Sequence, residues 1–305
     1  MSSVLLVFVD GLGLGPCDPA SNPLARFQPT TLNCYKNRLG PFPRDGVCLP
    51  TDVSLGVPGV PQSATGQTSL FTGVNAAQAV GRHNPGFPNG ELRDLIARRS
   101  FVRRLKEDGY SAAFLNTYTP PFLENRPRWV SVTTVVCETA GLRLNDLDDL
   151  RAGRSLYMDF TNRLLVDLGY QVSLRTPEEA AQVLIGQADR YDFAFYEYFL
   201  TDVVGHQGSI EESQEVLSKL DRFLTEAVRG LNLEQHSLVV TSDHGNVEDS
   251  SAPPHTLNPV PTLLWGPIRN LARDRSQLEI TDIAPLIERC VRAKPDIQRD
   301  ARNGG

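Results

Sequence analysis

Six short apolar runs, rich in β-branched and aromatic residues, recur along the chain with helical patterns between them, and this alternation narrows the fold more than any other feature. The runs are VLLVFV (4–9), SAAFLN (111–116), VSVTTVV (130–136), DFAFYEYF (192–199), SLVVTS (237–242) and PTLLWG (261–266). Each has the length of a strand buried on both faces. Helical spacing is carried by 69–77, 92–109, 176–191, 209–231 and 281–292. Two of these segments open on a capping box, Thr176 with Glu179 and Ser209 with Glu212, which marks a helix start. Strands that alternate with helices need a mostly parallel sheet covered on both sides, so the expected fold is α/β, a three-layer α/β/α sandwich. One domain over 1–295 is expected, with 296–305 as a frayed tail. Residues 16–62, rich in Pro, Gly and Asn, read as a long loop over one sheet edge, and the irregular stretch within 118–175 reads as a small lid or insertion.

Composition excludes several classes of function. A formal charge of −6 over 305 residues disfavours nucleic-acid and anionic-membrane partners, which are held by clustered Lys and Arg. The five cysteines, Cys17, Cys34, Cys48, Cys137 and Cys290, form no CxxC pair and read as thiols in a reducing compartment. The first apolar run stops at Asp10, too soon for a signal sequence, and no run approaches the ~20 residues that span a bilayer. A cytoplasmic enzyme is the expectation.

The opening SSVLLVFVDGLGLGP places a glycine-rich turn after a buried strand. A dinucleotide site needs GxGxxG and an acid about 20 residues on. Here the glycines are Gly11, Gly13 and Gly15, and the later stretch RFQPTTLN has no acid. What remains is a carboxylate, Asp10, at the carboxyl end of a strand, where open α/β sheets gather ligands. Asp202 and His206 stand four apart after another strand, so a helix there puts both on one face. Asp243 and His244 end a third strand, and His255 lies in the loop APPHTLNPVP. His236 reads as a solvated surface residue. Ser63, in GVPQSATGQTSLFTG, precedes an apolar helix whose amino end suits an anion.

The ordered set Asp10, Ser63, Asp202 with His206, Asp243-His244 and His255 resembles the alkaline phosphatase superfamily of two-metal enzymes. SDHGN and HTLNPVP look most like the branch that contains cofactor-independent phosphoglycerate mutase and phosphopentomutase. The resemblance covers the N-terminal 75 or so residues and about 190–295. It implies an alkaline-phosphatase-like fold in which Asp10, Asp243, His244 and the Ser63 oxygen hold one metal, and Asp202, His206 and His255 hold the other. Two divalent ions about 4 Å apart can clamp a phosphoryl group and acidify a serine hydroxyl. Ser63 would then be the nucleophile of a phosphoserine pathway, preferred to Thr65, Thr68 and Ser69 because it matches the branch's nucleophile position. Oxygen and imidazole ligands fit Mn or Zn, with Mg possible.

The mutases carry a large second domain between nucleophile and later ligands, and the interval here is too short for a full cap. The expectation therefore moves to a phosphomonoester hydrolase acting on a small-molecule phosphate ester. A phosphodiesterase or nucleotide pyrophosphatase, a phosphomutase and a metal-stabilised binding protein without activity are the alternatives. A sulfatase is disfavoured, since no CxPxR-like stretch surrounds the nucleophile. Arg82, His83 and Asn22 are candidate substrate contacts.

Overall fold

The computed structural model describes residues 3–251 and 255–293. Val4–Val9 (β1) is apolar at every position because it has no solvent face, and all six residues are buried. It pairs in parallel with Phe193–Tyr198 on one side and Ser237–Ser242 on the other. With Val47–Asp52 (β2), Ala112–Phe114 (β3), Phe193–Tyr198 (β4), Ser237–Ser242 (β5), Val260–Trp265 (β6) and Leu278–Glu279 (β7), it forms a seven-stranded sheet in the order β3-β4-β1-β5-β6-β2-β7. Only β6 runs against the others, antiparallel to both β5 and β2.

Side chains alternate across a strand, and β1 shows what that alternation builds. Val4, Leu6 and Phe8 enter one apolar cluster with Leu70, Phe71, Phe101 and Ile287. Leu5, Val7 and Val9 enter a second with Ala181, Leu184, Phe223 and Leu224. The first cluster is closed by Ser63–Thr72 (α1), Gly90–Arg99 (α2), Phe101–Glu107 (α3) and Ile283–Arg292. The second is closed by Pro177–Ile185 and Ile210–Gly230. Helices on both faces of a mixed, mostly parallel sheet make this an α/β fold, as the alternation of elements requires. Both expected capping boxes are present, at Thr176 and Ser209.

Four local expectations are corrected. VSVTTVV is not a strand: Val132–Thr139 is a helix, and the Ser131 hydroxyl caps it by accepting from the Thr134 amide. Val132, Val135 and Val136 fall on one helical face and enter the first cluster, so burial overrides β propensity. The helix expected from Ser69 begins at Ser63. Its first turns are rich in hydroxyls, and Thr68, Ser69 and Thr72 donate to carbonyls four residues back. The single helix expected over 92–109 breaks at Ser100, whose ψ of 125° is not helical. The stretch 16–62 is more than a loop, since it contributes β2 and a small hairpin of Cys34–Tyr35 with Arg38–Leu39. Pro50 disguised β2, because a proline cannot donate to a ladder; it lies opposite Pro261 in the pairing with β6.

The region 118–175 holds four short helices. Val132–Thr139 packs into the main core, whereas Leu147, Leu150, Tyr157 and Leu165 form a separate small cluster. The tail expected over 296–305 lies outside the described residues.

Candidate active site

Register in the sheet does most of the assembly. Val9 lies level with Tyr198 on one side and Ser242 on the other, so the residues that follow emerge together at the carboxyl edge of the three central strands. Asp10 and Asp243 are those next residues on β1 and β5. After β4 the chain turns into Leu200–Gln207, and its first turn carries Asp202 one helical turn before His206. The Thr201 hydroxyl donates to the Asp10 carbonyl and ties this helix start to β1.

The glycines after Asp10 serve this packing. A Cβ on Gly13 would lie 2.2 Å from a Glu248 carboxylate oxygen. Glu248 is fully buried and accepts from the Gly13 and Asn246 amides, the Thr256 hydroxyl and the Asn258 side-chain amide. The turn is thus bonded to a carboxylate of its own chain, with no room left for a pyrophosphate. On α1, Gly66 allows close approach to β5, since a Cβ there would lie 2.6 Å from the Asp243 carbonyl oxygen.

Two groups of three result. In the first, His244 Nε2 lies 3.2 Å from Asp10 Oδ1 and 3.7 Å from Asp243 Oδ2. In the second, His206 Nε2 lies 3.3 Å from Asp202 Oδ2, and His255 Nε2 lies 3.2 Å from His206 Nε2 and 3.5 Å from Asp202 Oδ1. Two atoms that share one ion at about 2.1 Å in tetrahedral geometry stand about 3.4 Å apart. Within each group the ligand atoms all lie within 4.8 Å of one another. The groups touch through the stacked rings of His244 and His255, whose centroids are 3.8 Å apart. Ser63 Oγ stands at the first group, 2.9 Å from His244 Nε2.

The chemistry of the donors fits cations. Asp10 Oδ1 is buried and accepts no hydrogen bond. His255 Nδ1 lies 2.9 Å from the Pro61 carbonyl oxygen, which can only accept, so Nδ1 carries a proton and Nε2 faces Asp202 and His206. Burial and the charge of Asp10 push Asp243 well above the usual carboxylate range. Burial pulls His244 down, but Asp243 and Asp10 override it and raise the imidazole to about 10. Asp202 goes the other way: burial raises it, and the hydrogen bond with His255, the charge of His244 and the hydrogen bond from Asn246 bring it to about 2.

Of the other expected contacts, none joins the six ligand-type side chains. Asn22 is fully buried, and its amide bonds the Pro16 carbonyl and the Leu24 amide, where it caps a short 3-10 turn. Arg82 is exposed, and His83 Nε2 lies 3.2 Å from the Val57 carbonyl oxygen. His236 is buried, not solvated, with Nδ1 2.9 Å from Ser3 Oγ. The rival hydroxyls of α1 are engaged with backbone carbonyls: Thr65 with Gln62, Thr68 with Ala64 and Ser69 with Thr65.

Sequence reasoning missed several residues at the site. Gln67 donates to Asp10 Oδ2 at 3.1 Å and Asp243 Oδ2 at 3.2 Å; it lies one helical turn after Ser63, and that spacing was the available signal. Asn246 donates to Asp202 Oδ1 at 2.7 Å. Glu197, on β4, is buried and accepts from the Thr133 hydroxyl at 2.5 Å. Burial pushes it to about 8, opposed by that hydrogen bond and helped by the charge of Asp10. Nothing in the sequence links Glu197 to Thr133, since the segment of Thr133 reads as a strand. Beside Ser63, Asp10 and Asp202 opens a cavity of about 480 Å³.

Comparison with known proteins agrees with this architecture. Residues 164–294 match the model of the Metalloenzyme superfamily. The matched stretch carries Asp202, His206, Asp243, His244 and His255. Among curated relatives, the 2,3-bisphosphoglycerate-independent phosphoglycerate mutase of Ehrlichia canis is 29% identical over 125 residues, 37% of this chain and 25% of that protein. The chain thus spans about a quarter of the length of the relative it matches. Among solved structures, the PH0037 protein from Pyrococcus horikoshii aligns with a TM-score of 0.57 at 16% identity, covering 97% of this chain and 98% of that one. Alkaline phosphatase from the Antarctic bacterium TAB5 aligns with a TM-score of 0.54 at 12% identity, covering 96% and 98%. Among the described residues no helix is long and apolar enough to cross a membrane.

Proposed function

We propose that the chain is a two-metal phosphoryl-transfer enzyme that hydrolyses small-molecule phosphate monoesters through a phosphoserine at Ser63. The supporting observation is the placement of the Ser63 hydroxyl, 2.9 Å from His244 Nε2 at the edge of two adjoining ligand groups. Asp10, Asp243, His244 and Ser63 Oγ would hold one divalent ion, and Asp202, His206 and His255 the other. Mn or Zn suits these oxygen and imidazole donors, with Mg as a further fit. Bound ions supply Lewis acidity that stabilises charge on the attacking and leaving oxygens.

The chain's own residues supply the rest. Ser63 is the first residue of α1, where the positive end of the helix favours both an alkoxide and an incoming phosphate. Gln67 fixes the two carboxylates in register, and Asn246 holds Asp202. Ser63 gives its hydroxyl proton to solvent, Oγ attacks phosphorus in line, the P–O bond to the alcohol breaks, and the alcohol leaves with a proton from solvent. Water then attacks the phosphoserine, and its protons return to Ser63 and to solvent as phosphate departs. The five cysteines are all free, which supports a reducing, cytoplasmic setting.

The test loads the chain with Mn, Zn or Mg and follows phosphate release from mono- and diesters, with metal content measured in parallel. Monoester turnover that ends with chelator, and in Ser63→Ala falls by about 10³-fold or more while metal content stays near two ions, is expected. Turnover by Ser63→Ala with metals bound would overturn the nucleophile. Conversion of a phosphorylated hydroxy acid or sugar to its isomer without free phosphate would favour the mutase activity for which the relatives are named.

A further inference from the structure

The cavity beside Ser63 has an unusual lining for a phosphate ester site. Its walls are apolar and largely aromatic, formed by Phe87, Tyr118, Phe122, Tyr157, Met158 and Val203. Among its described lining residues there is no Lys or Arg, while Asp10, Glu197 and Asp202 place carboxyl groups at its floor. Arg126, which stacks over the Phe122 ring at 5.2 Å, is ion-paired with Glu138. A second anionic group on the substrate would therefore find no cationic side chain among the described lining residues.

Hydroxyl-rich groups fare little better, because most of the polar side chains lining the cavity beyond Ser63 are engaged within the protein, with the Thr119 and Tyr157 hydroxyls as the exceptions. Both side-chain atoms of Asn116 bond the backbone of Glu197. Thr117 Oγ1 pairs with Ser155, Tyr118 OH with Thr134, and Ser131 Oγ with Thr133 and Thr134. A sugar entering here would lose water from its hydroxyls and regain few bonds. An aromatic ring gains what this surface offers: burial against apolar and aromatic side chains. Phe87 and Val203, 52% and 46% exposed, are large apolar residues left open at the mouth, where a ring would cover them.

We infer that the alcohol portion of the substrate is an uncharged aromatic group with few hydrogen-bonding atoms, so that phosphorylated hydroxy acids and sugars are poor substrates. This rests on the phosphomonoesterase reading and adds the class of leaving group to it. Phe122 and Phe87 are then specificity-determining residues.

Three alkyl monoesters with alcohols of similar basicity separate the possibilities: 2-phenylethyl phosphate, 3-phosphoglycerate and glucose 6-phosphate, each offered to the metal-loaded chain. The expected kcat/KM for the aromatic ester exceeds the other two by about tenfold or more, mainly through KM. Phe122→Ala should shrink that ratio about tenfold, and Phe87→Ala, at an exposed position that folding does not require, should move it the same way. Equal or better turnover of the glycerate or sugar ester overturns the inference. If no ester is turned over, the phosphomonoesterase reading fails instead. Calorimetry with 2-phenylethylphosphonate against glycerol phosphate then decides the cavity by itself: tighter binding of the aromatic anion supports the inference, and equal or weaker binding overturns it.

Discussion

The two ligand groups are built from similar side chains in different surroundings. Asp243 and His244 are fully buried, and Asp10 nearly so, all three at the ends of paired central strands. In the other group His206 has 35% of its side chain exposed and Asp202 19%, and these two ride on a helix start while His255 comes from a loop. The buried group is fixed by sheet register and has the strongest need of a cation, since its carboxylates share one imidazole and one glutamine amide. The open group is held by ordinary hydrogen bonds, from Asn246 to Asp202 and between His255 and the Pro61 carbonyl. Stiffness and charge frustration therefore concentrate on the side of Ser63, and access to solvent on the other.

Asp243→Asn should break the comparison most severely. Activity is expected to fall by about 10³-fold with loss of the ion at the buried group. In chelated protein the same change should raise the melting temperature, because it removes a buried carboxyl that burial and Asp10 both disfavour when charged. Metal analysis with calorimetry reads both effects, and a lower melting point in chelator would contradict the proposed strain. His206→Ala should be milder: one ion is lost and one kept, and turnover falls about 10²-fold. Titration with a weak chelator should strip the open group of the wild type first, and release of both ions together would erase the distinction.

The smallest effect concerns Glu197, which stands between the site and the core. Its folded pKa is about 8, above the usual carboxyl value, so between those two points the folded state holds a proton that the unfolded state has released. Stability from this group is therefore present at acid pH and lost as pH rises through about 8. Chelated wild type should lose several degrees of melting temperature relative to Glu197→Gln between pH 5 and pH 9, by scanning fluorimetry. Parallel pH curves for the two proteins would remove Glu197 as the source.

The strand ends were legible because each chemical group follows an apolar run directly, as Asp10 follows Val9 and Asp243 follows Ser242. Asp202 with His206 was legible from helical spacing, and the helix starts at Thr176 and Ser209 from their capping boxes. What sequence could not disclose depends on distant partners. His236 looks exposed until Ser3 is seen beside it, and Asn22 looks available until its amide is seen capping a turn. Val132–Thr139 carries β-branched residues that only its burial against the sheet turns into a helix. Glu248, which bonds the glycine turn, lies far from that turn in sequence and follows no pattern.

The reversed direction of Val260–Trp265 has a further consequence. A parallel strand would have required the chain to cross back under the sheet after Ser242, leaving His244 and His255 on separate segments. Instead β6 runs antiparallel to β5 and Gly245 is bridged to Thr256, so the residues beside His244 and His255 lie against each other. Each ligand group thus takes one imidazole from beside that bridge, His244 preceding Gly245 and His255 preceding Thr256.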